Sequence, residues 1–217
     1  FNQAQLVNSY GTKSNRIRVL PLAAPLHEFT PGARSTQLVN KYRLAGSQVV
    51  LFVGRMARNK RIDLLVEALP DVVKHAPEAM LMLVGDHRSN PAIRENVARV
   101  RNKAAKLDVG KRVIFTGSVD ALPDYYRLAS VYASASLHEG FGVPLIEAMA
   151  SGTPVVASNT TAHPWVVGDA GLLVEPDDPK DMAAAIIRLL TDNGLIRIWF
   201  VAGWPGHANS HWSVITK

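Results

Sequence analysis

The chain has 217 residues, 47% of them hydrophobic and 19% charged, which supplies a full core and excludes a disordered or fibrous chain. It contains no cysteine, so disulfides, thiolate metal sites and thiol nucleophiles are excluded, as fits a cytoplasmic protein. Its net charge of +6 is unevenly placed: residues 1–112 hold 19 Lys/Arg against 8 Asp/Glu, a surplus of +11, and residues 113–217 hold 5 against 10, a deficit of −5.

Residues 1–30 read as the remnant of a preceding unit and a linker. The chain opens on Phe1 rather than Met, which predicts a segment of something longer, and Pro21, Pro25, Pro31 and Gly32 punctuate the stretch that follows the candidate strand Ile17–Leu20. From there, short apolar runs alternate with amphipathic segments. Strands are predicted at Val49–Val53, Met80–Val84, Val113–Thr116, Val131–Ser134, Pro154–Ala157 and Gly171–Val174. Most are continuously apolar, as strands buried on both faces of a parallel sheet must be. Helices are predicted between them at Ile62–His75, Pro91–Leu107, Leu122–Ala129, Pro144–Ala150 and Pro179–Leu190. This alternation predicts an α/β fold over residues 31–192, a Rossmann-like doubly wound parallel sheet. Residues 193–217 hold three of the four Trp, lose the helical period, and form a separate tail. No apolar stretch approaches the ~20 residues of a membrane span.

In an open α/β sheet, ligands collect at the carboxyl ends of the strands. The segment Gly54-Arg55-Met56-Ala57-Arg58-Asn59-Lys60-Arg61 follows the second candidate strand and precedes a helix, and it concentrates four cations. Arg55 can grip a phosphate with two bonds and Lys60 adds a point charge, whereas Arg58 and Arg61 read as a solvated basic surface. Gly85-Asp86-His87 lacks the glycines of a dinucleotide loop, which counts against a dehydrogenase. Thr116-Gly117-Ser118-Val119 reads first as an ordinary turn. The most informative junction is Leu137-His138-Glu139-Gly140-Phe141-Gly142-Val143-Pro144-Leu145-Ile146-Glu147. Two glycines allow a tight loop with exposed amides, and Pro144 suits a helix's first turn, so the positive helix end faces the loop. Carboxylates beside a phosphate-binding loop repel the ligand unless they hold hydroxyls, a combination that suits a sugar joined to a diphosphate. Glu147 reads equally well as a first-turn residue balancing the helix dipole.

Glu139 and Glu147, with seven residues between them, resemble the E-x7-E signature of retaining GT-B glycosyltransferases of the family 4 type. Gly54-Arg55 with Lys60-Arg61-Ile62-Asp63 is similar to that family's donor-phosphate segment, and Val113-Ile114-Phe115-Thr116-Gly117 to its nucleotide-edge strand. Ala148–Ser158 and Val166–Val174 resemble its closing strands, so ordered matches run from about residue 17 to 190. The resemblance implies the C-terminal, donor-binding half of a GT-B enzyme that moves a sugar from a UDP-, GDP- or ADP-sugar to a sugar or lipid-linked acceptor, without metal or other cofactor. By likeness, Arg55 and Lys60 bind the diphosphate, Glu147 holds the ribose, and Glu139 with the loop Phe141, Gly142 and Val143 contacts the transferring sugar. Gly117 and Val119 then lie near the base. Where the family carries Pro-Glu, this chain has His163-Pro164-Trp165, and Trp takes the acidic position.

The alternative is a nucleotide-sugar-binding module without transfer activity; a sugar-nucleotide epimerase is weaker still. His207 and His211 lack the Glu of a zinc-protease motif, and no Gly-x-Ser-x-Gly elbow is present. Arg88, Arg94, Arg99, Arg101, Lys103, Lys106, Lys111 and Arg112 crowd one helix and its exit. With few aromatics interleaved, they read first as a solvated face, second as peripheral contact with an anionic membrane, and no nucleic-acid partner is expected.

Overall fold

The computed structural model describes residues 7–17 and 26–192. The candidate strand Ile17–Leu20 lies, apart from Ile17, outside the described residues, as does the tail 193–217.

Six parallel strands form one sheet: β1 (Gln48–Val53), β2 (Ala79–Val84), β3 (Val113–Gly117), β4 (Val131–Ser134), β5 (Val155–Ser158) and β6 (Leu172–Val174). Their spatial order is β3-β2-β1-β4-β5-β6, so the order reverses between β1 and β4. The register there pairs Val50 with Val131 and Leu51 with Tyr132. Every residue of β4 and β5 is buried, which is why these strands read as unbroken apolar runs rather than as alternating ones.

Helices cover both faces. The chain-order elements are α1 (Thr36–Tyr42), α2 (Ile62–His75), α3 (Pro91–Lys106), α4 (Leu122–Leu128), α5 (Val143–Ala150), α6 (His163–Val167) and α7 (Pro179–Thr191). One core lies under α2, α3 and α7, where Leu65, Leu69, Val100, Ile186 and Leu189 pack on Val50, Phe52 and Leu81. The other lies under α1, α4, α5 and α6, with Leu38, Tyr126, Leu145, Met149 and Val166 against Leu51, Met82 and Tyr132. Two cores on opposite faces are the doubly wound arrangement that the alternation predicts.

Local signals explain the helix starts. Asn90 accepts a hydrogen bond from the Ile93 amide at 3.0 Å, and Pro91 occupies the first turn of α3. Asp178 accepts from the Lys180 and Asp181 amides at 2.8 and 3.1 Å, again with Pro179 in the first turn. The helices α1 and α6 are not expected from the sequence. They have seven and five residues, too few for a helical period to stand out, and α1 buries only Leu38.

The basic stretch around α3 is partly spent on the fold. Asp63, 5% exposed, pairs with Arg61 and Arg99 at 3.2 Å each and with Lys103 at 3.8 Å. Lys103 also pairs with Glu67, and the Arg101 guanidinium lies 4.2 Å from the centre of the Phe115 ring. Arg61 is therefore no free surface cation: it joins Asp63 and Asp177 from a left-handed backbone position at the start of α2. Among the described residues, no helix is long and apolar enough to cross a membrane.

Candidate functional site

The reversal between β1 and β4 opens a crevice at their carboxyl ends, and the two sequence segments singled out above are the loops that leave those ends. Backbone bonds fix the first loop. The Gly54 amide donates to Val84 O and the Gly85 amide to Gly117 O, both at 2.9 Å, so the exits of β1, β2 and β3 are tied together. Next, the Met56 amide donates to Asp86 O at 3.0 Å, and the buried Asn96 side chain donates to Met56 O at 2.8 Å. Gly85 has φ +133° and Gly54 φ +156°, and a Cβ on Gly85 would stand 2.2 Å from Gly54 O. Only glycine allows that crossing.

The two loops meet. The Leu137 amide donates to Asn59 O at 2.9 Å, and Lys60 Nζ pairs with Glu139 Oε1 in a contact where both side chains are largely buried. Arg55 is exposed at the rim of the same loop. The second loop turns into α5 through Gly142, whose φ of +86° places it in the left-handed region. Val143 opens the helix, so Glu147 is its fifth residue and lies beyond the first turn. The dipole-balancing reading of Glu147 is corrected by that start.

Glu147 is instead a buried carboxylate, 9% exposed, whose Oε2 accepts a hydrogen bond from Tyr126 Oη at 2.8 Å. Burial raises its pKa, and the Tyr126 bond opposes that rise. Tyr126 is fully buried, and burial also pushes its phenol well above the usual tyrosine value. Sequence reasoning missed Tyr126; its place on α4, remote in the chain, gave no motif to find.

The remaining predicted residues each have their own surroundings. Gly117 has φ +81° at the end of β3, where His87 stands so close that a Cβ would meet its Cε1 at 3.0 Å. Val119, partly buried, packs against the core under α4 and α5. Phe141 contacts Trp165 on α6, with ring centres 5.8 Å apart, and Trp165 is 52% exposed.

A family model for glycosyl transferases group 1 matches residues 47–192, more than half of the chain. The chain belongs to this family. The D-inositol 3-phosphate glycosyltransferase of Acidothermus cellulolyticus is 36% identical over 217 residues, covering 96% of this chain and 48% of the relative. The sucrose-phosphate synthase of Thermosynechococcus elongatus superposes with a TM-score of 0.79 at 32% identity, over 93% of this chain and 50% of that one. Anabaena HepE, solved in complex with UDP-glucose, has a TM-score of 0.80 at 22% identity, over 93% of this chain and 54% of that one, a likeness of fold. The chain thus spans about half the length of the curated relatives it matches. The group 1 chain carries the Rossmann-like sheet of the GT-B glycosyltransferases, and its two candidate loops are the ones that sheet brings face to face.

Proposed function

We propose that this chain holds the nucleotide-sugar donor site of a retaining glycosyltransferase. The observation that carries this reading is the Lys60–Glu139 pair, which joins the basic loop after β1 to the carboxylate loop after β4 at the strand-order reversal. A diphosphate draws Lys60 to itself and is met by Arg55 at the rim and by the amides around Gly142 and Val143 at the start of α5. Glu139, released from Lys60, accepts hydroxyls of the transferred sugar together with the amides of Phe141 and Gly142. Glu147 Oε1 accepts from the ribose while Tyr126 holds Oε2. The base lies toward Gly117 and Val119.

Transfer in this site is electrostatic. Fixed cations and amides neutralise the charge that develops on the departing diphosphate, which requires no nucleophile from the protein. A same-face exchange, with the leaving phosphate taking the acceptor proton, retains the anomeric configuration. The UDP-glucose bound by HepE supports a UDP-sugar as the first donor to test. The names of the relatives, built on inositol 3-phosphate and sucrose phosphate, support a sugar or polyol acceptor. The second reading is donor binding without transfer.

Thermal unfolding tests the donor site. A ligand at a hundredfold its Kd adds about 2.7 kcal/mol, a rise of roughly 5–10 °C in Tm for a chain of this size. UDP-glucose, GDP-mannose or ADP-glucose should produce that rise, and no rise with any of them at millimolar concentration overturns the reading. Turnover by this chain with one of these donors decides between transfer and binding alone.

The Glu147 carboxylate adds a pH dependence. It binds hydroxyls as the carboxylate, so affinity for the sugar nucleotide is full above its raised pKa and falls as pH drops through it, above the ordinary glutamate range. For folding the sign is opposite: the raised pKa contributes stability that is full below the ordinary value and lost as pH rises through the elevated one. Donor titrations at successively lower pH should show affinity being lost on the alkaline side of the ordinary glutamate value in the unmodified chain, and a flatter profile in Glu147→Gln.

A further inference from the structure

We infer that His163 is a positioning residue of the sugar end of the donor site, holding the loop Glu139–Gly142 through its Nε2. This inference rests on the donor-site reading above.

The turn between β5 and α6 braces the carboxylate loop from below at three places. Thr160 Oγ1 donates to Ser136 O at 2.8 Å, and Thr161 Oγ1 accepts from the Glu139 amide at 3.0 Å. The third is His163, fully buried, whose Cδ2 lies 3.7 Å from the Cβ position of Gly142. The first two contacts are complete hydrogen bonds; the third is not. His163 Nδ1 lies 2.8 Å from Ser158 O, and a carbonyl oxygen can only accept, so Nδ1 carries the proton. Burial favours the neutral ring, against the opposing pull of Glu139, and Nε2 then holds a lone pair. That Nε2 is buried and has no hydrogen-bond partner among the described residues.

A buried acceptor without a partner is costly, and an apolar residue would fill this place more favourably in the free site. Nε2 is bonded to Cδ2, the ring atom that faces Gly142. The group it lacks is an N–H or O–H, and the loop at Gly142 is the neighbour from which we infer it comes. When a donor separates Lys60 from Glu139, the loop resettles around the sugar, and Nε2 accepts the N–H or hydroxyl presented to it. The bond forms only with the sugar in place, so His163 acts on the sugar end and not on the nucleotide.

The test compares free nucleotides with their sugar conjugates: UDP with UDP-glucose, GDP with GDP-mannose, ADP with ADP-glucose. In His163→Leu, the advantage of the conjugate over the free nucleotide should fall about five- to tenfold while the Kd of the free nucleotide is unchanged. His163→Gln, which keeps an acceptor oxygen, should restore part of that advantage. An unchanged ratio in the Leu variant overturns the inference, as does an equal loss for nucleotide and conjugate, or a Gln variant no better than Leu. Should the Leu variant fail to fold, imidazole ¹⁵N spectra of the unmodified chain decide: the Nε2 signal should move with the conjugate and stay with the free nucleotide, and a signal indifferent to both overturns the inference. If the unmodified chain binds none of these six compounds, the donor-site reading itself has failed; if it binds a conjugate and the variants match it, only the role of His163 has.

Discussion

Glu147→Ala is expected to lose donor affinity and fold stability together. On the donor-site proposal the carboxylate accepts ribose hydroxyls in a buried site, so its removal should weaken sugar-nucleotide binding by about 1–3 kcal/mol. The same change strands the Tyr126 hydroxyl, which is fully buried and donates to Glu147 at 2.8 Å. An orphaned hydroxyl costs about 1–3 kcal/mol, and relief of a buried charge returns part of it, so a net loss of about 1–2 kcal/mol in urea unfolding is expected. Two further variants separate the effects. Glu147→Gln keeps an oxygen for Tyr126 and should unfold near the unmodified chain while binding the donor more weakly. Tyr126→Phe removes the bond that lowers the Glu147 pKa, so the pH at which donor affinity is lost should move upward. A Glu147→Ala variant with unaltered affinity would remove Glu147 from the site and leave it a structural partner of Tyr126.

Gly85→Ala should cost more. Gly85 adopts φ +133° and carries its Cα against the Gly54 carbonyl, with 2.2 Å between a new Cβ and that oxygen. The obstacle is backbone, so no side-chain rotation relieves it. Either the exit of β2 shifts, breaking the Gly85–Gly117 bond, or Gly54 is pushed away, taking Arg55 with it. A loss of at least about 3 kcal/mol is expected, combining strain at an unfavourable φ with the displaced strand ends. Donor affinity should fall in the fraction that folds. Gly110→Ala is the contrast: a Cβ there meets its nearest atom at 3.9 Å, and stability should change by less than about 0.5 kcal/mol.

Much of this architecture was legible in the residues. Val131–Ser134 and Ile62–His75 coincide with β4 and α2, because a buried parallel strand and a long amphipathic helix each leave a strong signature. The expected Val49–Val53 strand gains Gln48, and the expected Pro144 helix start moves to Val143, shifts of the size that frayed ends produce. At the site, Lys60 and Glu139 were each legible as charged residues at strand ends. That they pair was not, since 79 residues separate them and only the sheet order brings them together. Tyr126 and Thr161 were illegible for the same reason: each reaches its partner from a different element, and neither stands in a spaced motif. Arg61 was misread as a solvated cation because the partner Asp177 lies far along the chain.

The charge asymmetry has a structural basis as well. Of the basic residues before residue 113, Arg61, Arg99 and Lys103 are paired with Asp63, Glu67 and Asp177, and Arg101 lies on Phe115. Arg55 stays exposed at the crevice, and Lys60 is held there by a carboxylate from the acidic half. Lys60–Glu139 and Arg61–Asp177 thus tie the basic half of the sequence to the acidic half.

Calorimetric titration of the unmodified chain and of Glu147→Gln with UDP-glucose, GDP-mannose and ADP-glucose tests the donor site most directly. One of these sugar nucleotides should bind with one-to-one stoichiometry, and more weakly to the variant. Saturation by none of the three, or equal affinity for both proteins, would contradict the assignment of this crevice and of Glu147 to the donor.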